Sequence, residues 1–424
     1  MEITNNLKHA KDILKLFIYR FLCIYILFFI IFNISIYFPL QFFIKYYFQI
    51  PLSKILPFEF IGLYFLNTKV EIDLINNGSG DTTFHYAQLI TFTILSIILA
   101  IIWCILNQNK SQSNSLYYLL TTLSRYFLAF QLFDYGVAKI FNLQFSPFDL
   151  VKITKTFGES SPMGLAWAFF GYSKWYKIFI GVLEISSILL LFRKTITIGA
   201  IISFIITLQI MAINYFYDIP LKILSTTLFL LSLSLLSNNL NSIFRFLIYK
   251  KNQSLKIISY VTYENKFLNK FKSILKFLII SYTMTNSVLS QWKIKNSIDN
   301  LQYNHPLYGV YTVTRYITGL DTILDNNYKV LKWNQVIFDN NEIATIKFNN
   351  DSIAKYYTKI DTINNSIELY QEPEKMEYFF NYNIIESDSL YFNGTIKVLF
   401  VKNKISNELM SRGFHWINEY PYNK

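Results

Sequence analysis

The chain has 424 residues, of which 53% are hydrophobic, 18% aromatic and 16% charged, with a formal net charge of +12. Those proportions fit a polytopic membrane protein better than a soluble one. The 39 basic residues outnumber 27 acidic ones in loops beside apolar runs, which points to membrane topology and not to nucleic acid.

In chain order, apolar runs predict seven helical spans at roughly 14–38, 86–106, 117–142, 175–192, 195–216, 220–238 and 272–291. The first follows Lys8, Lys11, Lys15 and Arg20 without a small-residue cleavage site, so it is expected to remain as an anchor. Lys110, the pair Arg193-Lys194 and the basic series from Arg245 through Lys250, Lys256 and Lys272 fall on the same side as the N-terminus. This predicts a bacterial inner-membrane protein with a cytoplasmic N-terminus and an exoplasmic tail. Lys152, Lys155 and Lys174 fall on the other side, in a long loop. Cys23 and Cys104 both lie in predicted spans and no CxxC is present, so dithiol chemistry has no residues to use.

Four exoplasmic pieces follow. The loop 39–85 holds an aromatic-rich interfacial stretch, Phe42 to Phe65, and a polar tip, Asn77 to Thr83. The loop 143–174 turns at Gly158 to Pro162 before a short re-entrant or interfacial helix, Met163 to Phe170. Asp218-Ile219-Pro220 is a tight turn, with Asp218 expected to cap the helix that follows. The tail changes character: between Tyr308 and Lys402, about eight β-rich runs alternate with separators such as Asp339-Asn340-Asn341, Asn364-Asn365 and Asn393-Gly394. That pattern predicts an antiparallel meander, either a small barrel or a sandwich. The expected divisions are 1–116, a bundle at 117–240, a basic loop and last span at 241–295, and an exported β domain at 296–424.

Ionisable groups inside apolar spans are costly and mark sites or register pairs. At about 1.5 Å rise per residue, Glu184 lies roughly 13 Å, Asp134 roughly 12 Å and Gln209 roughly 10 Å below the exoplasmic ends of their helices. Gln131 is one turn deeper, and Lys139, Asn214, Asp218 and Lys222 form a shallower ring. Tyr135 and Lys139, four apart, share a face, whereas Asp134 and Lys139 do not. Two readings stand. In one, these side chains line a cavity where Lys139 and Lys222 attract a quinone carbonyl or small anion, and Glu184 or Asp134 handles protons. In the other, they are interhelical pairs that fix register, with Glu184 neutralised by a lysine.

His9, His85, His305 and His415 have no metal-ligand spacing, and no haem, iron–sulfur or nucleotide fingerprint is present. The ending Arg412 to Tyr422 is strongly aromatic and is expected to dock on the membrane surface or the β domain.

The spans from 117 to 238 resemble the DoxX-like family of four-helix membrane proteins. The resemblance is carried by Phe133-Asp-Tyr-Gly136-Val-Ala-Lys139, Gln144-Phe-Ser-Pro147, Ser160-Ser-Pro-Met-Gly164, Gly181-Val-Leu-Glu184, Phe192-Arg-Lys194-Thr-x-Thr197-x-Gly199 and Asn214-Tyr-Phe-Tyr-Asp218-Ile-Pro-Leu-Lys222. It implies a four-helix core associated with respiratory or periplasmic redox chemistry, a quinone as ligand and a periplasmic protein as partner. A non-enzymatic membrane scaffold, whose β domain binds a protein or lipid, is the alternative.

Overall fold

A computed structural model describes residues 2–70, 78–107, 113–145, 149–252, 254–255, 265–303, 306–316, 332–340, 343–372, 375–385, 388–394, 396–403 and 412–419. Of the residues singled out above, Asn77, Lys110, Pro147, Lys256, His305, Asn341 and Tyr422 lie outside them. Two compact units emerge: 1–147 with 160–295, and 148–159 with 296–424.

The first unit is helical. Its elements begin with α1 (Glu2–Asn33), α2 (Gln41–Ile44), α3 (Ile50–Ile55), α4 (Phe58–Phe65), α5 (Thr83–Leu106) and α6 (Ser113–Ile140). A four-residue helix, α7 (Leu150–Ile153), belongs to the second unit. Then come α8 (Pro162–Tyr172), α9 (Lys174–Ile185), α10 (Ile196–Phe216), α11 (Lys222–Tyr249) and α12 (Lys266–Tyr303). Between α2 and α3 the turn Lys45–Gln49 is π-helical, closed by Ile50 N–H onto the Lys45 carbonyl. Pro51, next in line, has no N–H with which to continue an α ladder there.

Helices stand at all seven predicted positions, but seven spans are not found. Among the described residues, three helical stretches are long and apolar enough to cross a membrane: Ile13–Asn33, Thr83–Leu106 and Arg193–Phe216. A fourth is added if Lys222–Ser237 and Asn239–Tyr249, bent by 69°, form one span. The remaining three fall short for separate reasons. α6 carries Arg125, Asp134 and Lys139 among many hydroxyl side chains. α9 is 12 residues long and gives way to a 3-10 segment, Ser186–Leu191. α12 is laced with lysines.

A 3-10 end inside an apolar bundle leaves carbonyls that need donors. They are supplied from elsewhere in the chain. Thr195 Oγ1 donates to the Leu189 carbonyl at 2.7 Å, Arg125 Nε to Leu190 at 2.8 Å and Lys276 Nζ to Leu191 at 2.8 Å. Arg20, fully buried, does the same for α5, donating to the carbonyls of Trp103 at 3.0 Å and Asn107 at 2.8 Å with its guanidinium over the Trp103 ring. Cations are favoured at helix C-termini, where the macrodipole is negative.

The second unit is a closed eight-stranded barrel in meander order: β1 (Gly309–Tyr316), β2 (Trp333–Asn340), β3 (Ile343–Phe348), β4 (Ile353–Asp361), β5 (Ser366–Glu372), β6 (Lys375–Ile385), β7 (Ser389–Gly394) and β8 (Lys397–Lys402). Every neighbouring pair is antiparallel, and β8 closes onto β1 through Thr312↔Val401 and its neighbours. The meander predicted from the Asn-rich turns is therefore present, as a barrel and not a sandwich. Alternate residues point inward, and Trp333, Phe338, Phe380, Phe392 and Phe400 fill the interior with ring contacts. Closure leaves no sheet edge exposed.

The barrel also takes in a piece of the 143–174 loop. Leu150 packs on Val310 and Ile337, its N–H donates to Asp339 Oδ1 at 3.2 Å, and Glu159 pairs with Lys347 at 3.6 Å. Val310 alternates with the inward-facing Tyr311, so α7 covers the outer face of β1 and β2.

Burial raises the Asp339 carboxyl above the usual range, a shift the Leu150 N–H only partly offsets. A carboxyl raised in the folded state contributes stability below its unfolded pKa and loses it as pH rises through the folded value. Asp339→Asn keeps an acceptor for Leu150 and removes the buried charge. It is expected to raise the barrel's melting temperature at pH 7, with the difference from wild type vanishing below about pH 4, followed by circular dichroism of the full chain.

Candidate functional site

The site begins with two glycines. A Cβ on Gly136 would sit 2.6 Å from the Gly181 carbonyl oxygen, and one on Gly181 would sit 2.7 Å from the Gly136 carbonyl oxygen. Gly136 also faces Ile185, and Gly181 faces Ile140, so α6 and α9 run antiparallel. Each glycine is followed three residues later by a charged residue, Lys139 and Glu184. In an antiparallel pair these two lie on opposite sides of the crossing. Because helical Cα–Cβ bonds tilt toward the N-terminus, both side chains lean back over the glycines and meet. Lys139 Nζ donates to Glu184 Oε2 at 2.7 Å, with the two side chains 6% and 1% exposed.

The end of α6 completes the surroundings of Lys139. Asn142 adopts a left-handed φ of 60°, while Leu143 N–H returns to the Ala138 carbonyl and Asn142 N–H to Lys139, a Schellman closure. The turn brings back Gln144, whose Oε1 accepts from Lys139 Nζ at 2.8 Å, and Phe145, whose ring centroid lies 5.5 Å from it. Lys177, one turn before Gly181, is buried and holds this loop by donating to the Phe145 carbonyl at 3.1 Å. The Tyr135 ring lies 5.8 Å from the same ammonium.

Above the pair lies a cavity of about 130 Å³. Phe145, Trp167, Phe170 and Tyr176 supply an aromatic wall, with Phe145 stacked on Phe170 at 5.0 Å and edge-on to Trp167 at 5.2 Å. α8 carries Trp167 and Phe170 and starts where expected, with Ser161 capping Gly164 N–H at 3.0 Å and Pro162 in its first turn. Tyr135, Lys139, Glu184, Gln209 and Asn214 all line this cavity. Gln209 has no hydrogen-bond partner among the described residues, whereas Asn214 donates to the Leu221 carbonyl at 3.2 Å.

Four predicted residues do not join them. Asp134 points away, accepting from the Ser35 hydroxyl, and its backbone carbonyl accepts from Gln291 Nε2 at 3.2 Å. Gln131 donates to the Asn33 carbonyl at 2.7 Å. Both therefore serve the face of α6 toward α1 or α12. Lys222 pairs with Asp218 at 2.8 Å at the surface, where the Asp218 side chain is 84% exposed. The expected cap is also different: α11 is capped by Asp81, which accepts from the N–H groups of Lys222 at 2.6 Å and Ile223 at 3.0 Å. The polar tip places Thr82 at the N-cap position of α5, without a side-chain cap bond, and its Gly80 N–H is tied to the Pro220 carbonyl at 2.7 Å.

A second cavity, of about 430 Å³, is lined by Asn33, Gln49, His85 and Gln88 among others. It shares Tyr135, Leu221 and Leu224 with the first. His85 Nδ1 is engaged by the Thr82 hydroxyl at 2.7 Å. Among the described residues no three His, Cys, Asp or Glu side chains converge to hold a metal ion.

Sequence reasoning gave no site or packing role to Gln144, the aromatic wall, the buried cations Arg20, Arg125 and Lys177, or the half-buried Lys276. The legible signal was the repeated spacing Gly136-x-x-Lys139 and Gly181-x-x-Glu184.

Two outcomes test this construction. Gly181→Ala is expected to lower stability in detergent by about 1–3 kcal/mol through overpacking against backbone, whereas Gly158→Ala, with nothing within 4 Å, is expected to be neutral. Glu184→Gln leaves Lys139 buried without its counter-charge and is expected to cost about 3–5 kcal/mol. Adding Lys139→Met to it is expected to recover most of that loss in a thermal-shift assay.

An uncharacterised protein of Bacillus subtilis (strain 168), YwoB, is 42% identical over 115 residues, 26% of this chain and 71% of YwoB. No family model and no solved structure matches. By that identity and coverage, the chain belongs to the family of Bacillus subtilis YwoB.

Proposed function

We propose that the helical unit binds a quinone head group over the Lys139–Glu184 pair, as a DoxX-like membrane subunit serving redox chemistry in the bacterial inner membrane. The N-terminus is then cytoplasmic and the barrel periplasmic, in line with the basic-residue asymmetry of the loops. The observation that carries this reading is the state of Lys139. Its ammonium has three donors, and among the described residues Glu184 and Gln144 take two of them. The third is left for an acceptor in a cavity walled by Phe145, Trp167 and Phe170. Glu184 already balances the lysine charge, so a neutral carbonyl suits the site better than a small anion. Reduction of that carbonyl places negative charge on its oxygen, where the ammonium stabilises it. The two electrons and two protons of a quinone-to-quinol step require an electron-donating protein partner.

A scaffold role is favoured by a different observation. The barrel interior is filled by side chains, and Phe414, Trp416 and Ile417 stand 78%, 92% and 78% exposed. Surfaces of that kind suit docking more than catalysis.

Purification in mild detergent followed by extraction and mass spectrometry separates these readings. Wild type is expected to retain quinone, and the double variant Glu184→Gln with Lys139→Met to retain roughly tenfold less, matching loss of one charged hydrogen bond. Equal quinone in both, or none in wild type, contradicts the proposal.

A further inference from the structure

A third cavity, of about 360 Å³, lies between α1, α6 and α12 and shares no lining residue with the quinone site. Its length is apolar, with Phe38, Phe127, Phe130 and Ile279 among its walls, and Lys272 and Lys276 line it as well. These lysines are four apart on α12 and so share one face. α12 is tied to the bundle by polar side chains: Lys276 on the Leu191 carbonyl, Asn286 on the Tyr37 carbonyl at 3.3 Å, and Gln291 on the Asp134 carbonyl. The cleft runs beside those tethers.

The charge here is unusual. Arg125 and Lys276 donate to adjacent carbonyls, Leu190 and Leu191, so a buried guanidinium and an ammonium are neighbours. Among the described residues neither forms an ion pair with a carboxylate. Lys272 and Lys276 lie over the rings of Tyr118 and Tyr126, at 5.7 and 5.6 Å. Cations grouped in this way, in a poorly hydrated setting, call for an anion. An apolar slot beside them calls for a hydrocarbon chain.

We propose that this cleft is a binding site for an anionic phospholipid, with one acyl chain between α1, α6 and α12 and the phosphate against Lys272 and Lys276. The chemistry required is a chain and a negative headgroup on one molecule. A free phosphate leaves the slot empty, and a zwitterionic lipid brings no net negative charge to Arg125 and Lys276. Basic pockets between helices at a membrane face recognise anionic headgroups, with each lysine worth a factor of about five in retention.

The test is native mass spectrometry of the full chain in micelles containing equal phosphatidylglycerol and phosphatidylcholine. Wild type is expected to retain phosphatidylglycerol preferentially. Lys272→Gln is expected to lower that preference about fivefold, and Lys272→Arg to keep it. Leu123→Trp, which fills the slot, is expected to abolish retention of both lipids, while inorganic phosphate alone gives no bound species. Equal retention of the two lipids by wild type, an unchanged preference in Lys272→Gln, or binding of free phosphate that Leu123→Trp leaves intact would overturn the proposal. Lys272→Arg keeps the charge at that place, so the contrast between Lys272→Gln and Lys272→Arg reads the headgroup's charge apart from the side chain's own contacts, such as the Tyr118 ring. The quinone content of the same samples reports separately on the Lys139–Glu184 cavity.

Discussion

The close approach of α6 and α9 at Gly136 and Gly181 governs the helical unit. A side chain at either position meets backbone within 2.7 Å, so no rotamer change relieves it. With the helices pushed apart, Lys139 and Glu184 could not reach each other over the crossing. Unpaired, either charge would be costly in so apolar a place. The pair therefore depends on the glycines, and the cavity depends on the pair. Lys139 also holds Gln144, and the Schellman turn that brings Gln144 back brings Phe145 with it to form the aromatic wall.

Basic side chains do a second job at helix ends. Arg20, Arg125 and Lys276 each donate to carbonyls that a C-terminus leaves open. Buried among apolar side chains such carbonyls find no water, so a helix that breaks into a 3-10 segment after Glu184 needs donors from other helices. Arg125 comes from α6 and Lys276 from α12, which ties two other helices to one frayed end. The loop residue Asp81 plays the converse part, offering a carboxylate to the N-terminus of α11, where the dipole is positive.

Periodicity and turn chemistry were enough to locate all seven long helices and the eight strands, because each signal is local. The number of spans was not, since length and apolarity fail for different reasons in α6, α9 and α12. Barrel and sandwich share the same alternation, and only the pairing of β8 with β1 distinguishes them. For the site, Tyr135, Lys139, Glu184, Gln209 and Asn214 line one cavity, although depth along each helix sets Lys139 and Asn214 in a shallower ring than Glu184 and Gln209. Depth alone does not choose a face, and α6 has neighbours on more than one. Asp134 and Gln131 consequently sit at the expected level but on the side of Ser35 and Asn33. The cap on α11 was illegible for another reason: Asp81 lies 141 residues from Lys222 in the chain, beyond any local pattern. Leu150 on the barrel is the same kind of case, 189 residues from Asp339.

The most direct measurement is the distance from Lys139 Nζ to the Glu184 carboxyl carbon in lipid bilayers, by solid-state NMR on site-labelled protein. A strong dipolar coupling is expected, corresponding to a separation under about 4 Å for a hydrogen-bonded ammonium and carboxylate. No detectable coupling between the two would contradict the ion pair on which the cavity is built.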